Sequence, residues 1–372
     1  MDQSRIVHGI CLPNLNPVEH SVFVGKRLMT KCGRLDITGT RSGQSNVPLL
    51  VGDRDLEQLL EFVRLHAAGP LEGVFGPRSI TWRISRESAL FLGAGRALYL
   101  QLAHPWVASA VAQHPDGLTD PIGRFQRTFR IVFTLVFGTL DQAFDTARHL
   151  HRRHSVVRGV LPATSGVFSG GSPYWANEVA ALSWVYATLT ETALLVHDLI
   201  LPPLTERERE LYYEESKILA ALFGIPSSFL PHDWKAFEVY NQAMWRSRML
   251  RVGPEAKAVS HSLFTGTRTW LGVPRWYRAM TAQLLPEEVR NAYGLSFGEA
   301  EHKMAAVAVA WTRGIYRSLP KSLRYVGPYQ EAMARLSGRE EADWRTRALN
   351  RAWIGQSHLD AKGSGRSVAY DS

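Results

Sequence analysis

Five side chains in this sequence have the types and spacing to do chemistry together: His154, Arg124, Arg127, Thr128 and His104. They fall in three clusters, at 93–111, 120–129 and 148–159, that set polar groups into otherwise apolar helical stretches. Such a set suggests a buried cofactor site. At 100° per residue, Ala143, Ala147, Leu150, His154 and Val157 share one side of a helix, so His154 is expected on its apolar stripe. Arg148, His149, Arg152 and Arg153 point to solvent, and His151 lies beside Phe144 at the edge of the stripe. Two readings of His154 stand at this point. It is either a core histidine with both ring nitrogens satisfied, or a metal or axial ligand that exposes one nitrogen while the other donates to a nearby acceptor.

Arg124, Arg127 and Thr128 stand at i, i+3 and i+4, and so share a face with Ile131 and Leu135. The helix that positions them is predicted over 121–137, with Asp120 as N-cap, Pro121 in the first turn and Gly138 as the stop. It is apolar nearly all round, so its arginines either snorkel to the surface or meet an anion such as a carboxylate or phosphate inside. In the first cluster, Gly93 and Gly95 allow close approach of another backbone or a flat ligand, and Pro105 forces a kink or restart beside His104. The GAGRAL run lacks the third glycine of a dinucleotide fingerprint and follows no strand, which removes that reading. His149, His151 and His154 form a metal motif on paper, but the first two lie about 160° apart on a helix. A di-iron bundle needs paired Glu-x-x-His motifs; one such motif stands out, Glu299 to His302, outside the apolar clusters.

The runs WRISRE (82–87), ALYLQLAHPWVASAVAQH (97–114), DPIGRFQRTFRIVFTLVFGT (120–139), HSVVRG (154–159), YWANEVAALSWVYATL (174–189) and YYEES (212–216) keep a common order. Together they resemble the rubber oxygenase (latex clearing protein) and MpaB oxygenase family over roughly residues 78–330. The resemblance implies an all-α, globin-like multi-helix bundle around a buried haem b cavity. It implies His154 as the proximal iron ligand, in an H-x-x-V-x-G context with Val157 and Gly159. The family's R-x-x-[KR]-T helix matches Arg124, Arg127 and Thr128, with Arg124 and Thr128 on the propionate side. Where the rubber enzyme has a lysine that reaches the iron, this chain has Arg127, which keeps its proton and is a poor iron ligand. The rubber enzyme's distal glutamate has no match, and His104 takes that polar role beside Arg127.

The activity this resemblance implies is that of a haem-dependent oxygenase acting with O₂ on an apolar small molecule, by oxidative C=C cleavage. Leu102, Trp106, Phe125, Phe129 and Phe133 are expected to border the substrate. The alternatives are a haem-free helical binding protein for an apolar ligand, and a non-haem metal enzyme.

With 372 residues and 45% hydrophobic content the chain can bury one large helical core. Expected divisions are a loosely ordered arm over 1–50, a catalytic domain over 51–345 and an extension over 346–372 with a disordered tail. Cys11 and Cys32, the two cysteines, give no disulfide framework, and with no signal-peptide pattern a cytoplasmic location is expected. The apolar stretch 179–201 carries Glu191, His197 and Asp198, which favours a core helix over a membrane span. The net charge of +9 invites a nucleic-acid or membrane-surface reading, but the basic residues are scattered and no nucleic-acid motif accompanies them, so solvated surface is expected. Leu56, Leu59, Leu60 and Val63 give the 52–69 stretch an apolar side; Thr205 and Glu208 form a capping box; Glu214 and Glu215 read as surface or inter-helix salt-bridge partners; and 159–177 reads as a loop in which Tyr174 and Trp175 serve ordinary packing or, as the alternative, line a pocket.

Overall fold

The computed structural model describes residues 48–114, 121–265, 273–339 and 342–359. The N-terminal arm up to residue 47, Cys11, Cys32, Asp120 and the tail from 360 lie outside the described residues. The described chain is an all-α bundle with one two-stranded sheet.

The chain enters along Val51, whose N–H donates to the Asn177 carbonyl at 3.1 Å while Asn177 Nδ2 donates back to the Val51 carbonyl at 3.0 Å. Helix α1 (Asp53–His66) follows and buries Leu56, Leu60 and Val63, the face its spacing predicts. Helix α2 (Ile80–Ser85) is capped by Ser79, whose side chain accepts from Trp82 N. Its first two amides, Ile80 and Thr81, donate to the Glu215 carboxylate at 3.2 and 2.8 Å. Glu215 is therefore a helix-capping anion for a neighbouring element and not the salt-bridge partner expected. Glu214 does pair, with Lys217 at 2.6 Å.

A 3-10 turn (Ser88–Gly93) leads into α3 (Ala94–Leu102), and α4 (Pro105–Gln113) restarts at the proline with His104 as its N-cap. The restart agrees with the loss of a backbone donor at Pro105. Helices α5 (Pro121–Phe137) and α6 (Leu140–Val156) form a hairpin. Strands β1 (Arg158–Val160) and β2 (Pro173–Trp175) pair antiparallel with Gly159 opposite Tyr174. That short hairpin replaces the plain loop expected over 159–177; three-residue strands leave no alternating pattern long enough to read.

Helix α7 (Val179–Ile200) is the central element, long and apolar enough to cross a membrane yet 67% buried over its most apolar window. Its polar residues bond inside the fold. Trp184 Nε1 donates to the Leu100 carbonyl at 2.9 Å, Gln101 Nε2 donates to Thr188 Oγ1 at 3.1 Å, and the buried Arg96 pairs with Glu191 and bonds Thr192. Such pairing is what lets a charged side chain sit in a core helix. Gly93 permits the approach of α3 to α7: a Cβ there would stand 2.5 Å from Thr192 Cγ2 and 2.8 Å from Val196 Cγ2. The glycine serves helix packing and not a flat ligand.

Helix α8 (Glu206–Leu222) begins at the predicted box, with Thr205 Oγ1 accepting from Glu208 N at 3.2 Å and Thr205 N donating to Glu208 Oε2 at 2.8 Å. Next come α9 (Trp234–Arg246), α10 (Pro254–Thr265), α11 (Arg275–Leu284), α12 (Glu287–Tyr293), α13 (Glu299–Tyr316), α14 (Lys321–Arg324) and α15 (Gly327–Leu336). Helix α16 (Trp344–Ile354) packs on α5 and α15. A division at residue 346 would cut through it.

Candidate functional site

The α5–α6 hairpin carries four of the five chemistry-bearing residues. Its turn is two residues long. Gly138 closes α5, its N–H donating to the Thr134 carbonyl at 2.9 Å, and a Cβ there would stand 2.4 Å from that same oxygen. Thr139 opens α6 through a capping box: Gln142 N donates to Thr139 Oγ1 at 3.2 Å and Thr139 N to Gln142 Oε1 at 2.8 Å. Counted outward from this turn at about 1.5 Å per residue, Arg124 and His154 stand at nearly the same height, both roughly 21–23 Å away. The hairpin thus sets the cation and the imidazole at one end.

His154 lies in the last turn of α6 and is half-buried. Burial pushes its pKa down to about 4, with Arg153 and His151 adding to the shift, so the ring is neutral at physiological pH. The residue as a whole is half-buried, and withdrawal of the imidazole from water dominates its titration. Its imidazole makes no hydrogen bond among the described residues.

The buried seam of α6 is Leu140, Ala143, Phe144, Ala147 and His151. His151, expected at the edge, is the more covered histidine, and its Nε2 meets Asp53 Oδ1 at 3.0 Å. The seam runs past His151 because α6 packs on α1 as well as α5, which widens the covered arc beyond a single stripe. His149 is exposed, as expected.

On α5, Arg124 and Arg127 are half-buried and Thr128 is exposed. Burial, then the neighbouring Arg127, lowers the Arg124 pKa, and no carboxylate pairs with Arg124 among the described residues. The Arg130 pKa is lowered by burial and then by Arg127 and Arg153, while its Nη1 donates to Gln356 Oε1 at 2.9 Å. This end of the hairpin therefore gathers positive charge, with Arg124 lacking an ion-pair partner among the described groups. An anion with hydrogen-bond acceptors would relieve that repulsion.

The phenylalanines of α5 face elsewhere. Phe125 and Phe129 lie 5.6 and 4.5 Å from the Phe91 ring, and Trp353 of α16 stacks on Phe91 at 3.8 Å. Phe133 and Leu102 are buried in the core. Of the five residues expected to border a substrate, Trp106, Phe125 and Phe129 keep part of their surface open.

His104 belongs to a second locality. It is buried, its pKa is pushed down to about 4 by burial, and Nδ1 has no hydrogen-bond partner among the described residues. The rings that meet it are Phe168 at 5.3 Å and Trp106 at 6.2 Å. The structure does not bring it into contact with His154. Beside it, a cleft of about 710 Å³ opens between Pro105 and Ala108 of α4, the 161–166 loop, and the 246–255 segment with Arg246, Arg248 and Arg251. Nothing in the sequence singles out this cleft; the RSRMLR run at 246–251 is its one local signal.

Tyr174 is buried, its hydroxyl donating to Gln113 Oε1 at 2.9 Å. It packs under Gly159, where a Cβ would stand 2.6 Å from the tyrosine oxygen. Tyr174 thus fixes the chain leaving α6 and is not a pocket wall.

Among the described residues no three His, Cys, Asp or Glu side chains gather to hold an ion. A group needing a single imidazole ligand is compatible with that arrangement. No curated protein and no solved structure matches the chain. The family described as ER-bound oxygenase mpaB/B'/Rubber oxygenase, catalytic domain, matches residues 82–317, a span that holds all five residues and both localities. The protein belongs to this oxygenase family.

Proposed function

We propose that this chain is a haem b-dependent oxygenase that acts with O₂ on an apolar small molecule, with oxidative cleavage of a C=C bond as its reaction. The observation that carries the reading is His154: a neutral imidazole, without a hydrogen bond among the described residues, at the same end of a helix hairpin as the unpaired Arg124. The residues present fit the group on two counts. A neutral ring nitrogen is what an axial ligand must offer, and an uncompensated guanidinium suits a propionate.

When bound, haem would supply an iron centre at which O₂ is bound and activated. The chain supplies ligation, charge neutralisation, orientation and exclusion of water. His154 would hold the iron through a ring nitrogen. Arg124 would donate N–H groups to the propionate carboxylates, with the Thr128 hydroxyl as a further donor. Arg127, whose guanidinium carries donors and no acceptor, would act as a hydrogen-bond donor toward O₂ and not as a base. The unpartnered Nδ1 of His104, in its own buried locality, would accept a hydrogen bond from a bound group. Trp106, which keeps part of its surface open beside His104, would offer apolar surface to a hydrocarbon substrate. We place the protein in the cytoplasm.

The test is the visible absorption spectrum of protein purified from haem-supplemented cells, before and after dithionite, beside His154→Ala. The expected result is a Soret band that shifts on reduction and fades in the variant. A colourless wild type that also fails to take up added hemin would overturn the assignment and leave a haem-free binding protein for an apolar ligand. Elemental analysis for zinc and non-haem iron distinguishes a metal enzyme of another kind.

A further inference from the structure

Helix α13 is apolar where a surface helix should be polar. It buries only Ala305 and Tyr316, while Val307, Trp311 and Ile315, spaced four residues apart on one face, are 56%, 66% and 50% exposed. Trp276 of the adjacent α11 is 41% exposed. Trp276, Met304, Val307, Ala308 and Trp311 line a single groove of about 510 Å³. Large apolar side chains scattered singly over a surface need no explanation, but a contiguous strip with two tryptophans marks an interaction face.

Charge identifies the partner. Beyond the first turn of α13, where Glu299 and Glu301 sit, residues 302–330 contain Lys303, Arg313, Arg317, Lys321 and Arg324 but no Asp or Glu, and residues 273–286, ahead of Glu287 and Glu288, contain Arg275 and Arg278 and again no acid. Two of these cations are engaged within the fold, Arg324 by Glu87 and Arg313 by the Leu199 carbonyl. Lys303 pairs with Glu299 at the surface, where salt screens the contact. Arg275, Arg278, Arg317 and Lys321 are exposed with no carboxylate partner among the described residues. A second copy seated on the groove would set this band of cations against itself. An anionic lipid surface neutralises it, and its headgroup region is where tryptophan and the long stems of Arg and Lys are most favourable.

We propose that the α11–α13 face is a membrane-docking surface, which seats Trp276, Val307, Trp311 and Ile315 among the headgroups of an anionic phospholipid bilayer without spanning it. This face shares no residue with the oxygenase site, so the proposal stands or falls apart from that assignment.

The experiment is co-sedimentation of the full chain with vesicles of phosphatidylcholine alone or mixed with phosphatidylserine, at low and high salt. Wild type should pellet with the mixed vesicles and be released by salt. Trp276→Ser combined with Trp311→Ser should weaken the partition by about tenfold or more, and Arg275→Gln with Arg278→Gln and Arg317→Gln by at least about tenfold. Val160→Ser, at an exposed apolar site on β1, should leave binding unchanged. Thermal melts of all variants should match the wild type. The proposal is overturned if wild type ignores mixed vesicles at low salt, or if neither set of substitutions weakens the partition. A marked loss of melting temperature in the tryptophan variant also overturns it, since those rings would then be serving the core. So does a concentration-dependent dimer in sedimentation that the tryptophan variant dissolves, since the face would then be a contact between copies.

Discussion

Arg324 grips the buried Glu87 through two parallel bonds, Nε to Oε2 at 2.8 Å and Nη2 to Oε1 at 2.9 Å. Tyr316 adds its hydroxyl to Oε2 at 3.0 Å, so one carboxylate at the end of α2 fastens both α13 and α14 to the core. Removing the arginine leaves a carboxylate that is only 2% exposed with the Tyr316 hydroxyl and the longer Arg86 Nε contact at 3.4 Å as its remaining partners. Arg324→Ala should therefore cost about 3 kcal/mol, the low end for a broken buried pair because the arginine itself reaches solvent. Urea denaturation of Arg324→Ala, Glu87→Gln and the double variant checks this. The double variant should lose less than the sum of the singles, and additive losses would mean the pair is not coupled.

His104 ties stability to acid. In the fold its pKa is pushed down to about 4 by burial, against 6.5 for an unburied ring. Above pH 6.5 the ring is neutral in both states and its titration makes no difference. Between pH 6.5 and 4 the unfolded chain takes up the proton first, so stability declines as pH falls, by roughly 3 kcal/mol once both forms are charged. His104→Leu should flatten that slope. Denaturation midpoints with the same pH dependence in wild type and variant would show that His104 is not the group responsible.

Gly93 and Gly314 should answer the same substitution with opposite signs. A methyl at Gly93 meets Thr192 and Val196 well inside contact distance, and Gly93→Ala should cost about 1–3 kcal/mol. Nothing stands within 4 Å of a Cβ at Gly314 in the interior of α13, so Gly314→Ala should be neutral or stabilising by up to about 1 kcal/mol. Paired thermal melts decide it, and a destabilised Gly314→Ala would mean that α13 carries a neighbour on its open face.

Arg124 separates the needs of the fold from those of a cofactor. Burial and Arg127 both oppose its charge, so Arg124→Leu should hold or raise the stability of the haem-free protein. The same change should weaken hemin retention by about tenfold or more. Melting of the haem-free chain and hemin titration, run on one variant, read the two effects apart. A lower melting point with unchanged hemin uptake would assign Arg124 to the fold.

Much of this architecture is legible in local chemistry. Pro121 and Gly138 bound α5, Thr205 and Glu208 open α8, and Pro105 divides α3 from α4, because each rests on a backbone donor supplied or removed within a few residues. What the sequence hides is long-range. Glu215 reads as one of two surface acids until the amides of Ile80 and Thr81 arrive from far along the chain. The rank of His151 and His154 depends on which neighbours α6 touches, which a helical wheel does not contain. The open side of Val307 and Trp311 on α13 is likewise a matter of packing, which no local signal carries.

The two-residue turn at Gly138 and Thr139 has a kinetic consequence. Joining two seventeen-residue helices through so short a loop costs little chain entropy, and every contact between them is local in sequence. Arg124 and His154 are thus brought to one end by a segment that can zip up early, ahead of the slow search for distant partners. The late step falls to α16, whose Trp353 must return from the far end of the described chain to stack on Phe91.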